Sequence, residues 1–455
     1  MTNPKGRVIT EPSQSTDSKI PATLLQAGAA RFWFSVVCTG IGAGVSAIIL
    51  TRLLEIIQQL AWAGSGTHIL DAAEHATAWR HIIVLVGAGF AIGIGQLVLV
   101  RLTSGNGIDI TSAIWFSAGR LPSVRTLGSA LLSVVAVGMG ASLGREGAPK
   151  QAGAVAANFM SDSQQLSDEQ RRLLVACGAG AGMAAAYGVP LGGALFALEV
   201  LRGMLALRLV LPALLASLVA AAVSWLVLPN DPTYQIPVVT NPTPALALAL
   251  LIGPIAGIVA VGYVRAVAFA DRNKPSGWKR FVTPVFALGL LGLASIKFPQ
   301  LLGNGRDLSQ LLFNGRITSF RLLILLLILK PAATLICVGS STPGGLFTPS
   351  LTVGALLGGL LGYVCSQFSS AVPMGLCAVV GAGAVLAATT QGPISTIVLM
   401  MELAGLDRTI LAPLMLSVIT ATLISRTIEP RSIYDARLTD KEVQERLELR
   451  EPQNR

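Results

Sequence analysis

Glu146 lies in Gly144-Arg145-Glu146-Gly147-Ala148-Pro149, a glycine-rich break that runs into an apolar helical segment. The first amides of a helix have no internal partners and carry the positive end of its dipole, so such a start can hold an anion. A carboxylate placed there is itself a tethered anion. Charged, it fills the site it guards; protonated, it loses its hold on the amides and is free to swing away. Glu146 is therefore a candidate gate and a candidate proton carrier. The structural alternative is a helix cap or an ion pair with Arg145. Binding by amides alone is weak enough to let an ion leave, whereas a Lys or Arg would retain it, so the pattern points to passage of a small anion.

The broken segments recur in order. Gly105-Asn106-Gly107-Ile108-Asp109-Ile110 returns as Gly303-Asn304-Gly305-Arg306-Asp307-Leu308, and Gly144 to Pro149 is answered by Gly344-Gly345-Leu346-Phe347-Thr348-Pro349. Gly178-Ala-Gly-Ala with Pro190 and Glu199 matches Gly381-Ala-Gly-Ala with Pro393 and Glu402 at one constant offset. Small residues that merely let helices approach would explain the Gly and Ala, but not the recurring acids. Two related halves, inverted, would aim their motifs at one point near mid-membrane. Glu199, three residues before Arg202, reads either as the inner station of a proton path or as its i,i+3 partner. Glu402 reads as structural and toward the opposite face, and Ser167-x-x-Gln170 as a capping box.

Such motifs must be carried by membrane helices. Of 455 residues, 53% are apolar and 12% charged, which excludes a soluble globular protein. A hydrocarbon core of about 30 Å needs roughly 20 apolar residues per crossing. Suitable stretches run over Phe32–Leu50, Ile82–Val100, Leu209–Leu228, Ala245–Val264, Leu322–Val338 (interrupted by Lys330 and Pro331) and Ile410–Ser425. The 48 Gly and 24 Pro imply further helices broken inside the bilayer, which lipid tolerates only where they line a cavity. A net charge of +10 would suggest nucleic acid in a soluble protein, but here it lies in short loops and termini. Arg202 and Arg208 mark one cytoplasmic loop, and Arg272, Lys274, Lys279 and Arg280 another; Pro229–Thr243 has neither Lys nor Arg and reads as external. The expected order is a polar cytoplasmic arm over 1–31, a first half over 32–228, an external linker over 229–243, a second half over 244–435, and a charged cytoplasmic tail over 436–455. The five Cys lack metal spacing and read as packing; His68, His75 and His81 read as surface residues of one loop.

From about Phe32 to Tyr434 the chain resembles the CLC family of chloride channels and chloride/proton antiporters. The family motifs GSGIP, GREGP and GxFxP stand here as Gly105-Asn-Gly-Ile-Asp109, Gly144-Arg-Glu-Gly-Ala148 and Gly345-Leu-Phe-Thr-Pro349. Gly182-Met-Ala-Ala-Ala-Tyr-Gly-Val-Pro-Leu191 is similar to the family's segment before its proton-path glutamate. The resemblance implies an all-α membrane fold of two inverted halves, about eighteen helices of unequal length, many of them broken or re-entrant. It implies a homodimer in the cell (inner) membrane with one path per subunit. Glu146 becomes the gating glutamate, the amides of Leu346 and Phe347 the central anion donors, and Tyr434 a hydroxyl to the same ion; Asn106, Gly107 and Gly147 complete the anion-binding set. Without the family, Tyr434 could be an interfacial anchor.

Three departures bear on function. Asn106 replaces the Ser of chloride-preferring members, leaving nitrate, bromide or fluoride open, although the intact Gly-Leu-Phe-Thr-Pro motif favours chloride. Ala148 replaces Pro, with Pro149 following. Val200 stands where the family has its inner proton glutamate, so either Glu199 or water replaces it or conduction is passive. Chloride/proton exchange is the leading expectation and a passive chloride channel the second. A cation-coupled solute transporter would need carbonyl and carboxylate ligands at mid-membrane. An intramembrane enzyme is disfavoured by the lack of HExxH or a Ser/His pairing. No cofactor or metal is expected; the partners are chloride, protons and lipid.

Overall fold

The structure, a computed structural model, describes residues 29–63, 68–103, 109–236, 243–368, 374–405, 408–435, 438 and 441–445. Asn106 and Gly107 lie outside the described residues. The first half holds α1 (Ala29–Trp62), α2 (Ile69–Glu74), α3 (Ala78–Leu102), α4 (Ile110–Phe116), α5 (Ser123–Gly138), α6 (Gly147–Ser163), α7 (Asp168–Tyr187), α8 (Pro190–Phe196) and α9 (Leu207–Ser224). The second holds α10 (Thr243–Arg272), α11 (Lys279–Lys297), α12 (Arg306–Phe313), α13 (Phe320–Gly339), α14 (Phe347–Ser366), α15 (Met374–Thr390), α16 (Pro393–Leu403) and α17 (Leu411–Ile428). Short 3₁₀ or π turns, such as Ala197–Arg202, join some of them. Seven of the described helices are long and apolar enough to cross a membrane, and others are too short. Exposed Ile83, Phe90 and Ile94 on α3 fit a lipid-facing surface.

The repeat is visible in the packing. α6 crosses α7 where Gly153 and Gly178 leave no room for a Cβ, and α14 crosses α15 in the same way at Gly354 and Gly381. Close approach of this kind is how helices associate where no water drives them together. Across the halves the contacts are reciprocal. Glu199 accepts the amides of Ile394 and Ser395 at the start of α16, at 3.1 and 2.6 Å. Glu402 accepts those of Leu191 and Gly192 at the start of α8, at 3.1 and 2.7 Å. Residues that exchange partners in this way are related by a two-fold axis.

Several expectations change. Lys330 and Pro331 do not interrupt α13, which runs on through them. The Lys330 ammonium is fully buried and donates to the carbonyls of Leu301, Leu302 and Gly303 at 2.9, 3.2 and 2.9 Å, so its three donors are satisfied. His81 is not a surface residue: it is buried on α3 between Ser295 Oγ (2.8 Å) and the Ala73 carbonyl (3.0 Å). Among the described residues the first helix already includes Ala29, inside the expected arm. Leu438 and Val443 are buried, so the start of the tail packs on the membrane body. The Ser167/Gln170 capping box is present. The cysteines are free, with Cys177, Cys337 and Cys377 buried.

Candidate functional site

Gly144 and Gly345, from the two breaks, pair as an antiparallel bridge with both N–H···O bonds at 2.8 Å. The pairing sets the start of α6 against the start of α14. At either glycine a Cβ would overlap the Glu146 carboxylate, and at Gly147 it would meet the Gly345 nitrogen at 3.0 Å. The glycines thus make the space that the acid occupies.

Glu146 is fully buried, yet it caps neither its own helix nor Arg145. Its Oε1 accepts the Phe347 amide at 2.7 Å, and its Oε2 accepts from Thr348 Oγ1 at 3.1 Å and Tyr187 Oη at 3.3 Å. Tyr187 and Thr348 hydroxyls are 2.9 Å apart. The carboxylate therefore sits on an amide expected to hold the anion, at the N-terminus of the other half's helix. Arg145 turns away, its guanidinium 4.8 Å from the centre of the Tyr187 ring. Leu346 and Phe347 are buried at the start of α14, as expected.

Tyr434 is brought to the same place by the chain after α17. The Ile433 amide donates to the Thr389 carbonyl at 2.7 Å, and Ser432 and Asp435 cap each other. Glu429 anchors this segment to Arg265 and Arg431 at 3.0 and 2.6 Å. The adjacent Arg431 holds the Glu429 carboxyl down at about 2. Phe196 bridges Tyr434 (5.7 Å between ring centres) to Phe347 (6.4 Å), so Glu146, Phe347, Phe196 and Tyr434 form one row, the first three buried and Tyr434 half-buried.

A lysine also reaches this row. Lys150, one turn into α6 and 6% exposed, places its ammonium 3.4 Å from Tyr434 Oη. It also lies 4.8 Å from the centre of that ring and 5.2 Å from that of Phe196. Sequence reasoning passed over Lys150, Tyr187 and Thr348. The available signal for the first was a lysine four residues past Glu146 in a helix whose other charged residue, Asp162, stands at its far end.

Glu199 does not join this row. Its carboxylate is taken up by the α16 amides, and Arg202 pairs with Glu169 instead. The geometry is that of a helix cap, and the pairing with Arg202 is not formed. Val200 is buried against Gly392. Two cavities approach the row. One, about 390 Å³, is lined by Arg145, Tyr187, Asp231, Thr233 and Arg306. The other, about 670 Å³, is lined by Asp109, Gln151, Lys274, Arg280 and Gly344. They hold, respectively, the loop read as external and the loop read as cytoplasmic.

The family profile described as voltage gated chloride channel matches residues 88–426. The voltage-gated ClC-type chloride channel ClcB of Escherichia coli O9:H4 (strain HS) is 30% identical over 412 residues, 87% of this chain and 96% of that protein. The H(+)/Cl(-) exchange transporter ClcA of Vibrio vulnificus (strain YJ016) is 31% identical over 314 residues, 66% of each chain. Among solved structures, a slow cyanobacterial Cl-/H+ antiporter shares the fold with a TM-score of 0.77 at 20% identity, over 93% of this chain and 99% of that one.

Proposed function

This chain belongs to the voltage gated chloride channel family, and we propose that it carries chloride across the cell (inner) membrane in exchange for protons, gated by Glu146. The observation that carries the reading is the Glu146 carboxylate seated on the Phe347 amide. An anion that needs this amide competes with a side chain that protonation releases, so one event couples the two ions. The amides of Leu346 and Phe347 and the hydroxyl of Tyr434 hold the ion. The external cavity supplies it past Arg145, and the cytoplasmic cavity receives it. Both termini lie in the cytoplasm, and two copies associate, each with its own path; the family resemblance supports this last point.

Passive conduction is the second reading, and a specific observation favours it. Val200 offers no titratable group, and Glu199 is committed to helix amides. Chloride efflux from proteoliposomes, recorded together with external pH, decides between the two. Exchange predicts opposed proton movement that disappears in Glu146→Gln while chloride still flows. Chloride flow without proton movement in the unmodified protein would establish a channel. Transport of nitrate or fluoride but not chloride would overturn the substrate assignment.

A further inference from the structure

Arg125 and Arg280 come from different halves of the chain, the first from the opening turn of α5 and the second from that of α11. Helix α3 brings them together. Its Leu99 lies against Gly128, three residues past Arg125, and its Gly93 against the carbonyl of Phe281, the residue after Arg280, so closely that a Cβ on either glycine would collide. Both side chains then line the larger cavity, of about 670 Å³, where the Arg280 charge repels that of Arg125. Neither forms an ion pair with a described residue. Arg280 lies over the Phe281 ring, 5.2 Å from its centre, and Arg125 keeps a buried Nη1 with no acceptor. The cavity's own carboxylates are engaged elsewhere: Asp271 pairs with Lys274, and Asp109 accepts the Thr111 amide at 3.0 Å, while Glu442 reaches the cavity from the tail.

Like charges held side by side repel unless an opposite charge comes between them. A halide would supply the charge but not the geometry. Two guanidinium forks with five N–H donors each match an anion that offers several oxygens, and phosphate is the group such forks hold in bidentate fashion. On α6, Gln151 borders the same cavity with its Oε1 buried and unpartnered, and its amide can turn to present N–H donors to a further oxygen. We propose that this cavity is a binding site for a phosphate group, clasped between Arg125 and Arg280 with Gln151 as an additional donor. The group belongs to a free phosphate compound or to the headgroup of an anionic lipid; the recognising chemistry is the same. Gly344, beside the glycine bridge, lines the cavity too, so an occupant obstructs passage there. The binding stands apart from the anion-transport reading above, and the obstruction rests on it.

The test is calorimetry of pyrophosphate with the full-length protein in phosphatidylcholine nanodiscs. Binding is expected, and Arg125→Gln and Arg280→Gln should each weaken it by roughly tenfold or more. No binding, or binding that both variants leave unchanged, overturns the proposal. Repeating the titration in phosphatidylglycerol separates the two sources: binding that persists assigns a free phosphate compound, and binding that disappears assigns the lipid headgroup. Crystals of the unmodified protein grown with tungstate, a tetrahedral oxyanion, give an answer even if the variants do not fold. Tungstate between the two guanidiniums is expected, and a cavity without it overturns the assignment. In proteoliposomes, pyrophosphate on the side of this cavity should slow chloride flux in the unmodified protein and spare Arg125→Gln. Pyrophosphate binding in a protein that moves no chloride would overturn the transport reading and leave this site standing.

Discussion

Glu146 is held by one amide and two hydroxyls, and the hydroxyls can be removed without altering the shape of the site. Tyr187→Phe and Thr348→Val each take one donor from the competing carboxylate while leaving the Phe347 amide in place. One hydrogen bond of this kind is worth about 0.5–1.5 kcal/mol net. The apparent chloride affinity, read from the concentration dependence of flux, should therefore rise by roughly two- to tenfold in either variant. Unchanged affinity would mean that the hydroxyls only pack. At the rim of the smaller cavity, His68 bonds Asp307 at 2.9 Å, and this bond is the main cause of its raised pKa. A histidine with a raised folded pKa contributes fully below its unfolded value of about 6.5, and the contribution is lost as pH rises through the folded value. The side chain is 55% exposed, so solvent screens the pair. His68→Gln should cost under about 1 kcal/mol in thermal unfolding at pH 5.5 and nothing measurable at pH 9.

The reciprocal caps are the prediction that belongs to the elements. Glu199 and Glu402 close the starts of α16 and α8 across the two-fold, each accepting two amides. Replacing either by Gln leaves one acceptor oxygen and removes the charge that favours a helix N-terminus. Each substitution should lower stability by a similar amount, about 1–2 kcal/mol, and leave any proton coupling intact. Loss of coupling in Glu199→Gln alone would restore its reading as a proton station. The sequence displayed the matched pair but not its meaning. Arg202 at i,i+3 was the nearest visible partner of Glu199. The true partners stand 195 and 196 residues away, beyond any local spacing.

For the whole molecule, one cavity is lined by Tyr187, which bonds Glu146, and the other by Gly344, beside the glycine bridge, so the orientation of the chain decides which ion enters where. Asp231 borders the smaller cavity and Ser276 the larger, and both are exposed. In protein freed of its native cysteines, an impermeant thiol reagent added outside cells should label Asp231→Cys and spare Ser276→Cys until the membrane is opened. The reverse pattern would place the termini outside.

Composition and spacing alone determined that the chain lives in lipid, that it repeats, and that Glu146 stands at a helix start. These rest on local physics, since 53% apolar residues cannot be solvated and a glycine-flanked acid before an apolar helix has few other uses. The motif resemblance added Phe347, Leu346 and Tyr434. Only the tertiary structure showed that Glu146 takes its amide from the opposite half, that Glu199 is a cap, and that Lys150 belongs to the row. Each of these is a contact between chain segments far apart in sequence. Lys150 and Tyr434 are 284 positions apart, and only the closing of the two halves on each other brings such residues within bonding distance.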